Sequence, residues 1–247
     1  MTITPPTAEL FRDDADLVDC EAVVTAVDGL AVQLDRTVFY PQGGGQAGDA
    51  GVLQLPDGRT LAVADTRKGA EPGQILHLLA EPADGVLRVG DRVTARIDTA
   101  RRQAHRRFHT TTHLLCALVP HPVDGCSITA GYARLDFHMT EPLDKEALTA
   151  GLARYVAAAH PVTTRWITDA ELDANPQLVR SMSVQPPRGS GRVRLVEVQG
   201  VDLQPCGGTH VNNTADIGSV VVTKIEKKSA TTRRVVLGFA AANPSGA

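Results

Sequence analysis

His109 and His113 stand four residues apart, and Cys206 and His210 repeat that separation further along the chain. On a helix, an i,i+4 pair shares one face with Cβ atoms about 5–6 Å apart, a spacing at which two imidazoles can share a metal ion. The second pair sits in QPCGGTHV, where Gly207 and Gly208 form a turn that lets a thiolate and an imidazole converge. Either pair alone is a weak signal; two independent pairs of zinc-preferred donors together indicate a metal site. Three imidazoles and one thiolate suit zinc, with bonds near 2.0–2.1 Å to nitrogen and about 2.3 Å to sulfur. If all four groups bind, the site is closed and structural. If one stays loose, water or substrate can take the vacancy and be activated. Cys116, one turn beyond His113, offers an alternative thiolate, although its flanking LLCALV reads as core. HTTTH lacks the glutamate that serves as general base in HExxH, which argues against a metallopeptidase.

The first pair needs a helix to position it. Asp98 or Thr99 is a suitable N-cap, and TARRQAHRRFHTTTHLLCALV runs without glycine or proline as far as Pro120. Ala104, Phe108, Leu115 and Leu118 fall near one face. Arg102, His105 or Arg106, His109 and His113 form a polar stripe beside it. The basic residues Arg101, Arg102, Arg106 and Arg107 therefore precede the histidines. Such a run is ordinarily a solvated helix face. The net charge of -3 excludes bulk basic character, so any nucleic-acid contact would be local.

Ahead of this helix the pattern is that of short strands and turns: EAVVTAVDG, LAVQLD, GVLQL, PDGRT, LAVAD and DRVTARID. This first part reads as a small β-barrel. Within it, glycines crowd PQGGGQAGDAG, marking either a functional loop or a wide hairpin connection. After the helix, GYARLDFHM, VTTRWIT, RVRLVEV, GSVVVTKIEK and RRVVLGFA read as strands and KEALTAGLARYVAAAH as a second helix. Pro186, Pro187, Gly189 and Gly191 mark a turn between two of these strands. The expected organisation is a β-barrel domain over 1–95 and an α+β domain over 96–247, the boundary falling in the Asp91 to Asp98 stretch.

Composition is that of a soluble globular chain, with 43% hydrophobic and 21% charged residues. No apolar run approaches the roughly 18 residues of a membrane span, so no membrane association is expected. The MTITPPTAELFRDDAD segment lacks a basic stretch followed by an apolar core, and the expected location is cytoplasmic. Four cysteines in a reducing compartment read as thiols or metal ligands rather than a disulfide framework.

FHTTTHLL and CGGTHV followed by NTADIG resemble the paired motifs of the alanyl-tRNA synthetase editing domain and of the free-standing alanyl-tRNA editing proteins, the AlaX family. FYPQGGGQAGDAG is similar to the glycine-rich motif of their preceding β-domain. The three motifs occur in family order over about residues 20 to 240. The threonyl-tRNA synthetase editing domain shares the histidine and cysteine pattern, but the glycine-rich module points to the alanyl branch and to the medium-length AlaX form.

The resemblance implies a zinc-containing editing domain of the threonyl/alanyl-tRNA synthetase type, with one zinc on His109, His113, Cys206 and His210. It implies hydrolysis of seryl and also glycyl esters of tRNA specific for alanine. The partner is then the mischarged tRNA, with no obligate protein partner. Ser127 and Thr129, between the zinc helix and a core strand, are candidates for contact with the serine hydroxyl, or else satisfy a turn or strand end. Gly43, Gly44, Gly45 and Gln46 would close over the pocket, and Arg102 and Arg106 would hold acceptor-end phosphates. No general base is evident, so substrate-assisted attack stays open. The rivals are a non-catalytic zinc-stabilised RNA-binding module and editing of seryl-tRNA specific for threonine.

Overall fold

Alternation of apolar and polar residues governs the first unit. The computed structural model describes residues 6–83, 85–179 and 191–240, so Pro186, Pro187 and Gly189 of the expected turn lie outside the described residues. The chain divides into two units, Met1–Gln103 and Ala104–Ala247. The first contains β1 (Ala8–Glu9), β2 (Asp19–Asp28), β3 (Ala31–Leu34), β4 (Arg36–Thr37), β5 (Gly51–Gln54), β6 (Thr60–Lys68), β7 (Ile75–Leu79) and β8 (Arg92–Ile97). Six of these close into a barrel in the order β2-β3-β7-β6-β5-β8, while β1 and β4 pair in parallel. Val93, Ala95 and Ile97 of β8 point inward, with Arg92 and Arg96 outward, the period-2 signature of a half-buried strand. They join Val24, Val32, Leu34, Phe39, Leu53 and Val63 in one core. Full burial of each larger apolar side chain contributes about 1.5–3 kcal/mol relative to exposure.

The barrel agrees with the sequence reading, but PDGRT is the turn between β5 and β6: Leu55 and Arg59 close it by a backbone hydrogen bond. β7 is a strand the sequence pattern did not disclose. Its inward positions are Ile75, His77 and Leu79, so a histidine occupies a core position and the apolar-polar alternation is lost.

Helix α1 (Thr99–Leu118) begins in the first unit and continues into the second. Asp98 caps it, its Oδ1 accepting the Arg101 N–H at 3.0 Å, which satisfies one of the unpaired amides of the first turn. The second unit continues with β9 (Val123–Ile128), β10 (Ala133–His138), α2 (Lys145–Ala157), β11 (Val162–Thr168), α3 (Asp169–Asp173), β12 (Arg192–Val198), β13 (Asp202–Pro205), β14 (Val220–Lys227) and β15 (Thr232–Phe239). Two antiparallel sheets result, ordered β14-β15-β10-β9 and β11-β12-β13. Phe108, Leu114 and Leu115 of α1, Leu148 and Leu152 of α2, and Val196 and Val198 of β12 share one core with the larger sheet. Both expected helices and the five expected strands of this unit are present. The architecture is therefore α+β following a barrel.

Candidate metal centre

Helical spacing brings His109 and His113 to one face of α1, both about 5% exposed, with ring centroids 5.6 Å apart. The opposite wall is built by β13 and the turn after it. Alternation along that strand turns Asp202, Gln204 and then Cys206 to the same side, and the glycine turn returns His210 towards Cys206. The Cys206 sulfur lies 3.4 Å from His109 Nε2 and 3.3 Å from His210 Nε2. The donor atoms of His109, His113, Cys206 and His210 all fall within 4.8 Å of one another. Tetrahedral zinc with the bond lengths given above places nitrogen and sulfur donors about 3.5 Å apart, so this spacing fits such an ion. Cys116 is buried in the hydrophobic core and stands outside the cluster.

A second layer orients the donors. His113 Nδ1 donates to Asp202 Oδ2 at 2.9 Å, and the Gln204 side-chain amide donates to the same oxygen at 2.8 Å. The Thr110 hydroxyl lies 3.2 Å from His210 Nδ1 and donates to the Arg106 carbonyl, so it accepts from the imidazole. Both contacts assign the Nδ1–H tautomer and leave Nε2 free to bind a cation. The Gly208 N–H points at the Cys206 sulfur, and Arg194 Nη1 donates to the carbonyls of Cys206 and Gly208, fixing the turn.

The electrostatics match. Burial opposes ionisation of Cys206, but the neighbouring His109 and His210 bring its pKa well below the usual thiol value. Burial and then His109 push His210 well below its ordinary value, so it stays neutral with a lone pair to offer. Burial disfavours charge on His113, yet Asp202 and Cys206 together outweigh it and hold the pKa at about 9. A pocket that draws a proton so strongly also draws a metal cation in its place.

Asp202, Gln204 and Thr110 escaped the sequence reading. The signal was present: D-L-Q-P-C puts Asp202, Gln204 and Cys206 on one strand face, and Thr110 lies inside HTTTH.

The remaining expected site residues have local partners of their own. Thr129 closes a turn, its hydroxyl donating to the Tyr132 carbonyl and accepting from the Tyr132 and Gly131 amides. Ser127 pairs with Arg134 across β9 and β10, whereas its neighbours Cys126 and Ile128 belong to the core side. By alternation Ser127 is on the other sheet face. In the first unit, Gly43 and Gln46 exchange backbone hydrogen bonds around Gly44 and Gly45, both at positive φ, a tight turn pinned by the Tyr40 hydroxyl on the Gly43 carbonyl. Gln46 is fully buried.

The basic run ahead of the histidines turns largely inward. Arg102 is 2% exposed, paired with Asp49 and donating to the Ala15 and Val38 carbonyls. Arg106 is 8% exposed and donates Nε–H to the His210 carbonyl. Arg101 donates to the Gly48 carbonyl, and Arg107 donates to the Ile217 carbonyl while lying over the Phe239 ring. Arg102 and Arg106 are thus almost wholly buried and Arg101 and Arg107 half-buried, each tied to a backbone carbonyl, so the run is not a freely solvated helix face.

Residues 193–236 match the family described as threonyl and alanyl tRNA synthetase second additional domain, and residues 8–101 match tRNA synthetases class II (A). Barrel, α+β unit and donor cluster together define an editing module of the threonyl/alanyl-tRNA synthetase type. The chain is 32% identical over 234 residues to the alanyl-tRNA editing protein AlaX-M of Saccharolobus solfataricus, covering 93% of this chain and 97% of that protein. It is 33% identical over 242 residues to the AlaX-M of Methanosarcina acetivorans, again covering 97% of that protein. It is also 38% identical over 232 residues to the alanine–tRNA ligase of Thermus thermophilus, of which it spans 25%. The chain belongs to the AlaX-M family of alanyl-tRNA editing proteins.

Proposed function

We propose that this chain hydrolyses the ester joining serine, and also glycine, to tRNA specific for alanine, acting in the cytoplasm on the free mischarged tRNA with one bound zinc. The observation that carries this reading is the convergence of four donors on one buried point in a chain that matches stand-alone alanyl-tRNA editing proteins along almost their whole length. A pocket selecting alanine rejects an added hydroxyl poorly and a smaller glycine hardly at all, which makes a second, hydrolytic site useful. Bound zinc would supply a fixed positive charge able to polarise groups of the aminoacyl moiety or water. His109, His113, Cys206 and His210 hold it. Asp202 and Thr110 fix the tautomers of His113 and His210, and Arg194 with the Gly208 amide fixes the Cys206 turn. Asp202 already accepts from His113 and Gln204, which makes it a positioning group.

Convergence of all four donors also suits a closed metal site in a non-catalytic RNA-binding module. Release of serine, glycine and alanine from the respective aminoacyl-tRNAs specific for alanine separates the two, with seryl-tRNA specific for threonine as a further substrate. Deacylation of the seryl and glycyl species that spares the alanyl one, and that is lost in a His109→Ala, Cys206→Ala variant, supports editing. A folded, metal-loaded chain that releases nothing supports the binding module.

A further inference from the structure

The register of the smaller sheet sets an exposed aromatic residue beside the metal centre. Trp166 of β11 pairs directly with Arg194 of β12, so their side chains share one face. One residue past the Leu195–Pro205 pair, Cys206 donates its N–H to the Arg194 carbonyl, which continues the register and puts Cys206 opposite Arg194. Trp166, Arg194 and Cys206 thus form one row across the sheet. With strands about 4.8 Å apart, the Trp166 backbone lies about 10 Å from that of Cys206 on the same face.

Arg194 in the middle of the row is 6% exposed and braces the Cys206 turn. Trp166 at its end is 36% exposed on the edge strand, and the Arg192 guanidinium lies over the indole at 4.3 Å from the ring centroid. A single exposed aromatic ring is ordinary on a protein surface, and what distinguishes this one is the guanidinium lying over it. An indole with an arginine on it is also the usual surface on which unpaired nucleobases stack, the cation serving the adjoining phosphate as well.

We propose that Trp166 and Arg192 form a stacking platform for an unpaired nucleobase of the tRNA acceptor end, holding the terminal nucleotide so that its ester reaches the metal centre. This rests on the deacylase reading above. The backbone span of roughly two strands from Trp166 to Cys206 is comparable to that between a terminal base and an acyl group on its own ribose. Stacking gives grip without base identity, which suits the single-stranded end common to tRNAs.

Trp166 is the single tryptophan of the chain, so tryptophan fluorescence, excited to the red of tyrosine absorption, reports on this position alone. Titration of the full chain with an uncharged single-stranded oligonucleotide ending in CCA is expected to quench it saturably, and Arg192→Ala to weaken the apparent affinity. In deacylation of seryl-tRNA specific for alanine, Trp166→Ala should raise KM roughly 5- to 150-fold with a much smaller change in kcat, and Trp166→Phe should restore most of it. An active wild type with unquenched fluorescence and an unchanged KM in Trp166→Ala overturns the platform and leaves the deacylase reading intact. A wild type without deacylase activity removes that reading instead. The fluorescence titration then decides the platform alone, quenching supporting it and its absence overturning it. Should Trp166→Ala fail to fold, wild-type quenching and the Arg192→Ala variant give the same decision.

Discussion

Asp202 on β13 accepts the Nδ1–H of His113 on α1 at 2.9 Å, tying the strand that carries Cys206 to the helix that carries two imidazoles. The bond fixes the His113 tautomer, and its negative charge raises the affinity of the ring for any cation. Asp202→Asn keeps the size of the side chain but removes the charge. Metal affinity should fall about 10- to 100-fold, measured by competition with a chromogenic chelator. Unchanged affinity would mean that the contact shapes the protein without tuning the metal.

The buried pair of Arg102 and Asp49 lies wholly within the first unit. Deleting one partner strands the other charge where water cannot reach it. Arg102→Ala should therefore lower stability by about 3–5 kcal/mol in urea titration while the folded protein keeps its metal stoichiometry. A surface phosphate contact would have predicted the reverse, unchanged stability with weakened tRNA binding.

That reversal shows what the sequence could and could not carry. Periodicity located α1, α2 and the barrel because a helix or strand needs only its own residues to declare a face. The His109/His113 and Cys206/His210 pairs were legible because metal ligation demands particular side chains at short spacing. Whether Arg102 points outward or inward depends on Asp49, more than fifty residues earlier, and no local pattern encodes that partnership. The orientation of Ser127 was hidden for a related reason. Its face is fixed by the pairing of β9 with β10, and β9 (VDGCSI) contains too little alternation to be seen as a strand. His77 hid β7 in the same way, as a polar residue in an apolar position.

The glycine-rich turn separates glycines needed for space from those needed for conformation. A Cβ on Gly48 would lie 2.2 Å from the Thr66 carbonyl oxygen and 2.5 Å from an Asp65 carboxylate oxygen, a clash with fixed neighbours. Gly44, at φ 57°, has only the Tyr40 hydroxyl near it, at 4.0 Å. Gly48→Ala should thus cost about 1–3 kcal/mol or more, as overpacking does, while Gly44→Asn, in a region asparagine tolerates, should shift the urea midpoint far less. Equal losses in the two variants would contradict this division.

His77 gives the barrel a pH dependence of predictable sign. Its ring is fully buried, 2.8 Å from the Thr37 hydroxyl and 3.1 Å from the Val32 carbonyl, with Phe39 edge-on. Burial lowers its pKa to about 4, against 6.5 for the exposed side chain. Above pH 6.5 the ring is neutral in both folded and unfolded chains, and its contribution is complete. Between 6.5 and 4 the unfolded chain binds the proton that the folded one refuses, so stability falls with pH and levels out below 4. The full loss from this group is about 3 kcal/mol. His77→Gln retains an amide for the two hydrogen bonds but cannot titrate. Urea midpoints of the wild type and of this variant, followed from pH 7.5 to 4, should converge as the pH falls, because only the wild type carries this loss. Parallel curves would show that the ring is protonated within the fold or reached by water.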